Sequence, residues 1–291
     1  MLKQRVITAL VLLLIFLPAL FYPSSDPFCA VTLVLIAAAG WEWGRLNGLG
    51  QFASGLGAAL CVLLCAATWA LGSLTQALPM VWILAVAFWV LAGGWLLRQG
   101  VPAWATLARA LRLPAGWAAL WCAWLAMAQA RVIGINFLLS ILVLVWVADI
   151  FAYFAGKAWG GRLCRVKLAP SISPGKSWEG VWGGMAGVLL LAFVWRWLDQ
   201  AWPLPGPSLY SHLAQRGIWF LVLAVLFMEA MSVVGDLIES LIKRSAGVKH
   251  SSHLLPGHGG VLDRLDALLP SRALAMVFYA LAMFVVLRSL I

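Results

Sequence analysis

Long apolar runs recur along the whole chain, and they constrain its fold more than any other feature. A helix that spans a bilayer needs about 20 mostly apolar residues. The sequence holds nine such segments, at residues 6–22, 28–46, 53–74, 79–97, 114–131, 136–155, 180–198, 217–236 and 269–290. Outer-membrane barrels are built instead from short strands that alternate between apolar and polar residues. We therefore expect an all-α, polytopic integral membrane protein with about nine transmembrane helices.

The composition agrees with this fold class. Of the 291 residues, 64% are hydrophobic and only 10% are charged, whereas soluble domains carry about 25% charged residues. A soluble globular domain, a disordered chain, a coiled coil and a disulfide-rich scaffold do not fit these values. The five cysteines lie mostly within apolar runs and form no Cys-x-x-Cys pair, so we expect them to be small core residues.

Basic residues are distributed unevenly between the two sides of the predicted layout. With the N-terminus in the cytoplasm, the 20 Lys and Arg residues fall on the cytoplasmic side except Arg131, Arg196, Arg216 and Arg288. Membrane proteins show this bias toward the cytoplasm. It predicts a cytoplasmic N-terminus and explains the net charge of +10 without a nucleic-acid partner. An anionic substrate or an anionic lipid would also suit that charge.

Two loops on the predicted cytoplasmic side hold most of the polar chemistry. Residues 156–179 are basic and rich in Gly, Ser and Pro, and residues 237–268 combine acids, bases and glycines. We divide the chain into a set of N-terminal membrane spans, residues 1–135, and a catalytic membrane region, residues 136–291, which carries both loops.

Most acidic residues concentrate near these loops. Seven of the ten map to the loops or to the adjoining halves of spans: Asp149, Glu179, Glu229, Asp236, Glu239, Asp263 and Asp266. A charge at membrane depth costs several kcal/mol, so these seven are functional candidates, with ion pairing between helices as the alternative. We expect the other three, Asp26, Glu42 and Asp199, at interfaces or in loops, where a charge costs little.

The second loop places several charges together. Helical spacing puts four polar residues on one helix face: Asp236, Glu239, Ser240 and Lys243. A Pro- and Gly-rich stretch then precedes Asp263 and Asp266, which are three residues apart and predicted to share a helix face. Hard divalent cations prefer such carboxylates, and the flanking basic residues suit phosphates. The combination favours a complex of a metal ion with a polyphosphate.

These motifs resemble a known family, the phosphatidate cytidylyltransferases (CDP-diacylglycerol synthases). The resemblance rests on Ser240-x-x-Lys243-Arg244, then Lys249, then Leu255-Pro256-Gly257-His258-Gly259-Gly260-x-x-Asp263-Arg264-x-Asp266. The first loop agrees, because Ser173-Pro174-Gly175-Lys176-Ser177-x-Glu179-Gly180 is similar to the family's Ser-Pro-Gly-Lys-Thr-x-Glu-Gly segment. Asp149 and Tyr153 also stand where the family has an Asp and a Tyr at the end of a span. The motifs cover roughly residues 145–270, and the remainder matches by its pattern of spans.

The resemblance implies a reaction of CTP with phosphatidic acid in the bilayer, at the cytoplasmic face of a bacterial inner membrane. It implies a two-cation site, with Mg²⁺ alone or with one monovalent cation, held by Asp236 and Asp263 and supported by Glu239 and Asp266. Asp263, Asp236, Lys243 and Arg264 would be catalytic. Substrate would be bound by Ser173, Lys176, Ser177, Ser240, Arg244, Lys249, His258, Gly259 and Gly260. A homodimer is an assembly that the sequence leaves open.

One position departs from the family pattern. The family usually has Asp after the lysine that matches Lys249, whereas this chain has His250. Because imidazole suits softer metals than Mg²⁺, we carry no metal role onto His250 and expect a peripheral polar contact or none.

Two other classes of function stay open on the residues alone. A multi-span transporter of a cation or an anionic substrate could use Asp149 and Glu229 as an ion path. Transporter sites, however, usually lie near the bilayer midplane, whereas the polar residues here concentrate in one-sided loops. Another CTP-dependent lipid phosphotransferase, such as a polyprenol kinase, is the second alternative.

The predicted orientation has a direct test. Single cysteines placed within residues 157–178 and 245–260 are expected to react with an impermeant thiol reagent only from the cytoplasmic side, because the basic residues concentrate there. The measurement compares labelling of intact spheroplasts with labelling of inverted vesicles. Labelling of either loop in intact spheroplasts would place the candidate site on the wrong side of the membrane.

Overall fold

The fold is a bundle of long helices joined by two polar loops. The computed structural model describes residues 2–202 and 205–289, and no β-strand occurs in these two ranges. The α-helices, numbered in chain order, are α1 Leu2–Phe21, α2 Asp26–Leu46, α3 Gln51–Ala70, α4 Pro79–Gln99, α5 Val101–Thr106, α6 Arg109–Ile133, α7 Ile135–Trp159, α8 Trp178–Ala201, α9 Leu209–Ala214, α10 Ile218–Ser245 and α11 Leu268–Ser289. A 3₁₀ turn, Leu262–Arg264, lies shortly before α11.

Each predicted span overlaps one long helix, although the span at 53–74 runs four residues past the end of α3 at Ala70. Within the described ranges, seven helices are long and apolar enough to cross a membrane, judged by length and composition: α1, α2, α3, α4, α7, α8 and α10. The predicted spans at 114–131 and 269–290 coincide with α6 and α11, although residue 290 lies outside the described residues. The all-α membrane fold is therefore confirmed, while the count of nine crossings stays a prediction.

The outer surface of the bundle is strongly apolar. Leu14 of α1 is 77% exposed, Phe52 of α3 is 81% exposed and Leu91 of α4 is 72% exposed, and many other large apolar side chains are exposed beside them. A soluble monomer rarely exposes continuous apolar surface on this scale. Lipid tails solvate such side chains without cost, so the chain is an integral membrane protein.

Helix α10 lies at the centre of the bundle, where it packs against α4, α5, α7, α8, α9 and α11. Its first half buries apolar residues such as Leu221, Val225 and Met228. Its second half carries the acidic and basic residues of the predicted site while keeping Leu237, Leu241 and their neighbours buried. The same helix therefore anchors the core and carries the polar chemistry.

The loop boundaries differ from those expected. We expected the eighth span to end at residue 236, but α10 continues to Ser245, and the loop that follows runs over residues 246–267. The helix continues because buried Leu237, Ile238, Leu241 and Ile242 supply an apolar face opposite the polar one. Helix α7 likewise extends to Trp159, so the first loop covers residues 160–177.

Glycines bring α7 and α8 close together. A Cβ built on Gly183 of α8 would lie 2.2 Å from the Cβ of Ala155 and 3.0 Å from the carbonyl oxygen of Phe151. A Cβ on Gly187 would lie 2.4 Å from the ring of Phe151. Small residues allow this approach between membrane helices, and here it fixes the helix pair that carries the first loop.

This close packing predicts the effect of one methyl group. Gly183→Ala is expected to destabilise the purified protein by about 1–3 kcal/mol, the usual cost of overpacking. The matched control is Gly55→Ala in α3, where, apart from the local backbone, no atom of the described residues lies within 4 Å of the added Cβ. The measurement is thermal unfolding in detergent. Equal midpoints for the two variants would contradict the proposed role of the α7–α8 contact.

Candidate functional site

The two loops meet at one end of α10. The ammonium group of Lys176, in the first loop, forms an ion pair with Asp236 of α10. Nearby, Arg244 Nε donates to the carbonyl oxygen of Ile172 at 3.5 Å. These two contacts dock the first loop on the helix that leads into the second loop. The structure thus brings together the two motifs that the sequence singled out.

A cavity of about 370 Å³ lies between α7, α8, α10 and the first loop. Its polar lining includes Asp149, Lys176, Ser177, Glu229 and Asp236. The acids Asp149 and Glu229, which the sequence marked only as general candidates, therefore stand beside the Lys176–Asp236 ion pair. The apolar remainder of the lining comes from the membrane helices and from Leu168 of the first loop, so polar and apolar groups face the same cavity.

A second charged group lies one turn further along α10. Lys243 Nζ contacts the carboxylate of Glu239 and lies 2.9 Å from Asp263 Oδ1. The side chains of Glu239 and Asp263 are each only 7% exposed. Asp263 also accepts hydrogen bonds from the backbone N–H groups of Ser251, at 3.2 Å, and Gly260, at 2.9 Å. Lys243 and the second loop thus hold Asp263 in one orientation.

The two aspartates of the second loop differ in their protonation. Burial opposes the ionisation of Asp263, but its hydrogen bonds and the ammonium of Lys243 outweigh burial and lower the pKa of this carboxyl to about 2. Burial, with a further contribution from the charge of Asp236, raises the pKa of Asp266 to about 7. Asp263 is therefore ionised at neutral pH, and a cation near Asp266 would favour its ionised form.

The glycine-rich turn depends on its glycines. Leu255 N donates to the carbonyl oxygen of Gly259 at 2.9 Å, and His258 N donates back to that of Leu255 at 2.8 Å. Gly257 and Gly259 have φ values of 76° and 85°, which favour glycine. A Cβ on Gly259 would also lie 2.5 Å from Asp263 Oδ2. Exposed Arg264 closes the turn by donating to the carbonyl oxygen of His258.

The other predicted substrate-binding residues divide between the cavity and its surroundings. Ser177 lines the cavity and caps α8 by accepting a hydrogen bond from Gly180 N at 3.2 Å. Ser240 Oγ donates to Asp236 Oδ1 at 3.4 Å. Ser173 sits in a tight turn, where its N–H donates to Ala169 at 2.8 Å. Lys249 is exposed and forms no ion pair with any described residue.

The predicted metal ligands lie on the last turns of α10 and in the second loop but are not arranged as expected. We expected Asp263 and Asp266 on one helix face, but the 3₁₀ turn ends at Arg264, and Asp266 Oδ1 accepts a hydrogen bond from Ala267 N. Lysines contact Asp236, Glu239 and Asp263. In the part of the chain that the structure describes, no three His, Cys, Asp or Glu side chains are grouped so that they could hold a metal ion.

Glu179 shapes the first loop instead of lining the cavity. Its Oε1 atom accepts hydrogen bonds from the backbone N–H groups of Gly161, Leu163 and Cys164, at 2.8–3.1 Å. These bonds fold the start of the loop back onto α8. The sequence identified Glu179 as a functional candidate, and the structure gives it a role in fixing the loop.

Glu42 corrects one expectation from the sequence. We expected it at an interface, where a charge costs little, but its side chain is completely buried in α2. Its carboxylate accepts four hydrogen bonds from the second loop. The only signal in the sequence is an acid inside an apolar run, between Trp41 and Trp43. That signal does not reveal which segment the acid binds.

His250 contacts the site from outside. Its Nδ1 atom lies 3.5 Å from Asp263 Oδ2, and its side chain is 48% exposed. His250 therefore makes a peripheral polar contact with Asp263, a predicted metal ligand. Such a contact was one of the two outcomes that we expected from the sequence.

Comparisons with known proteins agree with the motifs. A model of the cytidylyltransferase family matches residues 3–283. A phosphatidate cytidylyltransferase from Pseudomonas aeruginosa is 40% identical over 273 residues, which cover 92% of this chain and 93% of that protein.

Two further relatives match over a shorter region. A phosphatidate cytidylyltransferase from Haemophilus influenzae is 44% identical over 146 residues, or 50% of this chain and 46% of that protein. One from Bacillus subtilis is 38% identical over 151 residues, or 52% of this chain and 49% of that protein. With a family model that spans nearly its whole length, this chain belongs to the cytidylyltransferase family.

Proposed function

We propose that the cavity and the carboxylates bridged by Lys243 form the site at which this enzyme condenses CTP with phosphatidic acid. The products are CDP-diacylglycerol and pyrophosphate. The observation that supports this assignment is the meeting of the two motif loops at the polar end of α10, where Lys176 contacts Asp236 and Lys243 contacts Asp263. The apolar outer surface beside this end gives access to a lipid substrate.

The reaction requires positioning more than a protein nucleophile. An oxygen of the lipid phosphate attacks the α-phosphorus of CTP, and the bond from that phosphorus to the β-phosphate oxygen breaks, which releases pyrophosphate. The lipid phosphate is already an anionic nucleophile, so no Ser or Cys nucleophile is needed. The protein must align the two substrates and neutralise their charges. Lys176, Lys243, Arg244 and Arg264 are the cations we assign to this task.

The carboxylates near these lysines are ligands of the type that a hard metal ion prefers, although a bound ion would have to draw them closer together than they lie here. Glu239 Oε1 is buried and accepts no hydrogen bond from any residue that the structure describes, and oxygen ligands of this kind are the ones that Mg²⁺ prefers. We propose that Asp236 and Asp263, with Glu239 and Asp266, hold Mg²⁺, either as two divalent cations or as one with a monovalent cation. When bound, the metal would neutralise the triphosphate and the departing pyrophosphate. Lys176 and Lys243, which contact these carboxylates, would then serve the substrate phosphates.

The proposed location follows from the origin of the substrates. CTP comes from the cytosol and phosphatidic acid from the bilayer, so we place the site at the cytoplasmic face of the bacterial inner membrane. A transporter and a different CTP-dependent lipid phosphotransferase are not favoured, since the relatives are cytidylyltransferases. The discriminating assay is release of pyrophosphate from CTP with and without phosphatidic acid. Release that does not depend on phosphatidic acid would reject the proposed reaction.

The metal assignment predicts the effect of removing one charge. Asp236→Asn and Asp263→Asn are each expected to lower kcat by more than about 100-fold, because Asn keeps the shape but removes the charge that stabilises the cation. Membrane insertion and yield should stay unchanged. Asp26→Asn is the matched control, since Asp26 is exposed at the start of α2. Near-normal kcat in either site variant would exclude that residue as a ligand.

His250 provides a separate test of the all-oxygen site. We expect His250→Ala to change kcat by less than about tenfold and Mg²⁺ to remain the preferred metal. If the imidazole of His250 were a metal ligand, the enzyme would instead prefer Ni²⁺ or Zn²⁺ to Mg²⁺. His253→Ala, at an exposed position of the same loop, is the control. Loss of activity as complete as in Asp263→Asn, together with higher wild-type activity in Ni²⁺ or Zn²⁺, would show that His250 is a ligand.

A further inference from the structure

Glu42 of α2 binds the second loop through both of its carboxylate oxygens. Oε1 accepts hydrogen bonds from Ser252 Oγ at 2.5 Å and from Val261 N at 2.9 Å. Oε2 accepts hydrogen bonds from Ser251 Oγ at 3.0 Å and from Leu262 N at 2.7 Å. One side chain thus holds both ends of the segment 251–262.

The charge of Glu42 is balanced by hydrogen bonds alone. Its side chain is 0% exposed, and no ion pair to it occurs among the residues that the structure describes. A buried carboxylate is costly unless its oxygens are hydrogen-bonded. Four donors meet that cost in the conformation that the second loop adopts against α2.

Two of the four donors lie immediately before Asp263 in the chain. Val261 N and Leu262 N are at the start of the 3₁₀ turn Leu262–Arg264, where N–H groups have no partner within the turn. By accepting both, Glu42 fixes the backbone that carries the Asp263 side chain. The contact therefore acts on the orientation of Asp263 through a single turn of chain.

Ser251 and Gly260 connect Glu42 with Asp263 directly. Ser251 donates its hydroxyl to Glu42 and its backbone N–H to both oxygens of Asp263, at 3.2 Å. Gly260 N donates to Asp263 Oδ2 at 2.9 Å. A Cβ on Gly260 would lie 1.9 Å from Ser251 Oγ and 2.7 Å from each Glu42 oxygen. The absence of a side chain at residue 260 is what allows the two carboxylates to share this segment.

We propose that Glu42 is a positioning residue of the active site, which sets the orientation of Asp263 through the segment 251–262. The proposal rests on the proposed function in one respect, because its effect on catalysis depends on Asp263 binding the metal. The alternative is that Glu42 only joins α2 to the loop and contributes to stability, with no effect on the site.

The test compares Glu42→Gln with a matched variant at the other end of the bundle. A Gln amide has one oxygen and one NH₂ group, so at least one of the loop donors loses its acceptor. Asp199→Asn is the control, since Asp199 also accepts several hydrogen bonds, from Asn136, Ser208 and Ser211, but lies at the far ends of α7 and α8. Ser252→Ala, which removes one donor to Glu42, is a milder second variant in case Glu42→Gln does not fold.

Two readouts are measured on the full-length enzyme in detergent. Hydrogen exchange of peptides within 251–263 is expected to become at least about fivefold faster in Glu42→Gln, since losing one hydrogen bond of about 1 kcal/mol raises local opening by that factor. The Mg²⁺ concentration that gives half-maximal activity is expected to rise at least about fivefold, because ligand-orienting partners change metal affinity by about 10–100-fold. Ser252→Ala should shift both readouts in the same direction by less, and Asp199→Asn should shift neither.

The following results would contradict parts of the proposal. Unchanged exchange in 251–263 would overturn the link between Glu42 and the loop. Faster exchange with an unchanged Mg²⁺ requirement and kcat would overturn the positioning role and leave only a stabilising one. An equal rise of the Mg²⁺ requirement in Asp199→Asn would also overturn it. Should Asp263→Asn keep its activity, the proposed metal site fails, while the exchange data still decide the link to the loop.

Discussion

The structure depends on how charge is accommodated at the end of a membrane helix. Helix α10 carries apolar residues along its first half and then presents Asp236, Glu239 and Lys243 on one face. Near apolar surroundings an unpaired charge costs several kcal/mol. Asp236 therefore forms an ion pair with Lys176 of the first loop, and Glu239 forms one with Lys243 on the next turn of α10. The same pairing that makes these groups tolerable also brings the two loops together.

Both loops are held by a buried carboxylate that accepts backbone N–H groups. Glu179 takes three such bonds from residues 161–164, and Glu42 takes two, with two hydroxyl bonds, from residues 251–262. Loop backbone carries N–H groups that must find partners when buried. A carboxylate can accept several at once, so a single side chain from a rigid helix is enough to set the shape of an irregular segment. Rigid loops in turn hold their own functional groups in place, as Asp263 illustrates.

Much of this arrangement was predictable from the sequence. The nine apolar runs located every long helix, because the length of a span is set by the bilayer, and the motifs identified the loops that meet at α10. The end of the span was placed too early, at residue 236 with a loop over 237–268, although the helical spacing of Asp236, Glu239 and Lys243 was recognised and buried Leu237 and Leu241 keep the helix folded to Ser245. The role of Glu42 could not be predicted, because its partners lie 209–220 residues away in the chain and an acid between two tryptophans is equally typical of an interface.

The contact made by Glu42 also links the N-terminal spans to the second loop. The predicted catalytic region begins at residue 136, yet the turn that carries Asp263 finds its hydrogen-bond acceptor on α2, and Thr8 of α1 donates to the carbonyl oxygen of Pro256 at 3.0 Å. If residues 136–291 closed the second loop by themselves, its N–H groups at Val261 and Leu262 would be buried without acceptors. The N-terminal helices therefore supply hydrogen-bond partners that the second loop needs in order to fold. A substitution in α2 can for that reason alter the site although no motif residue is changed.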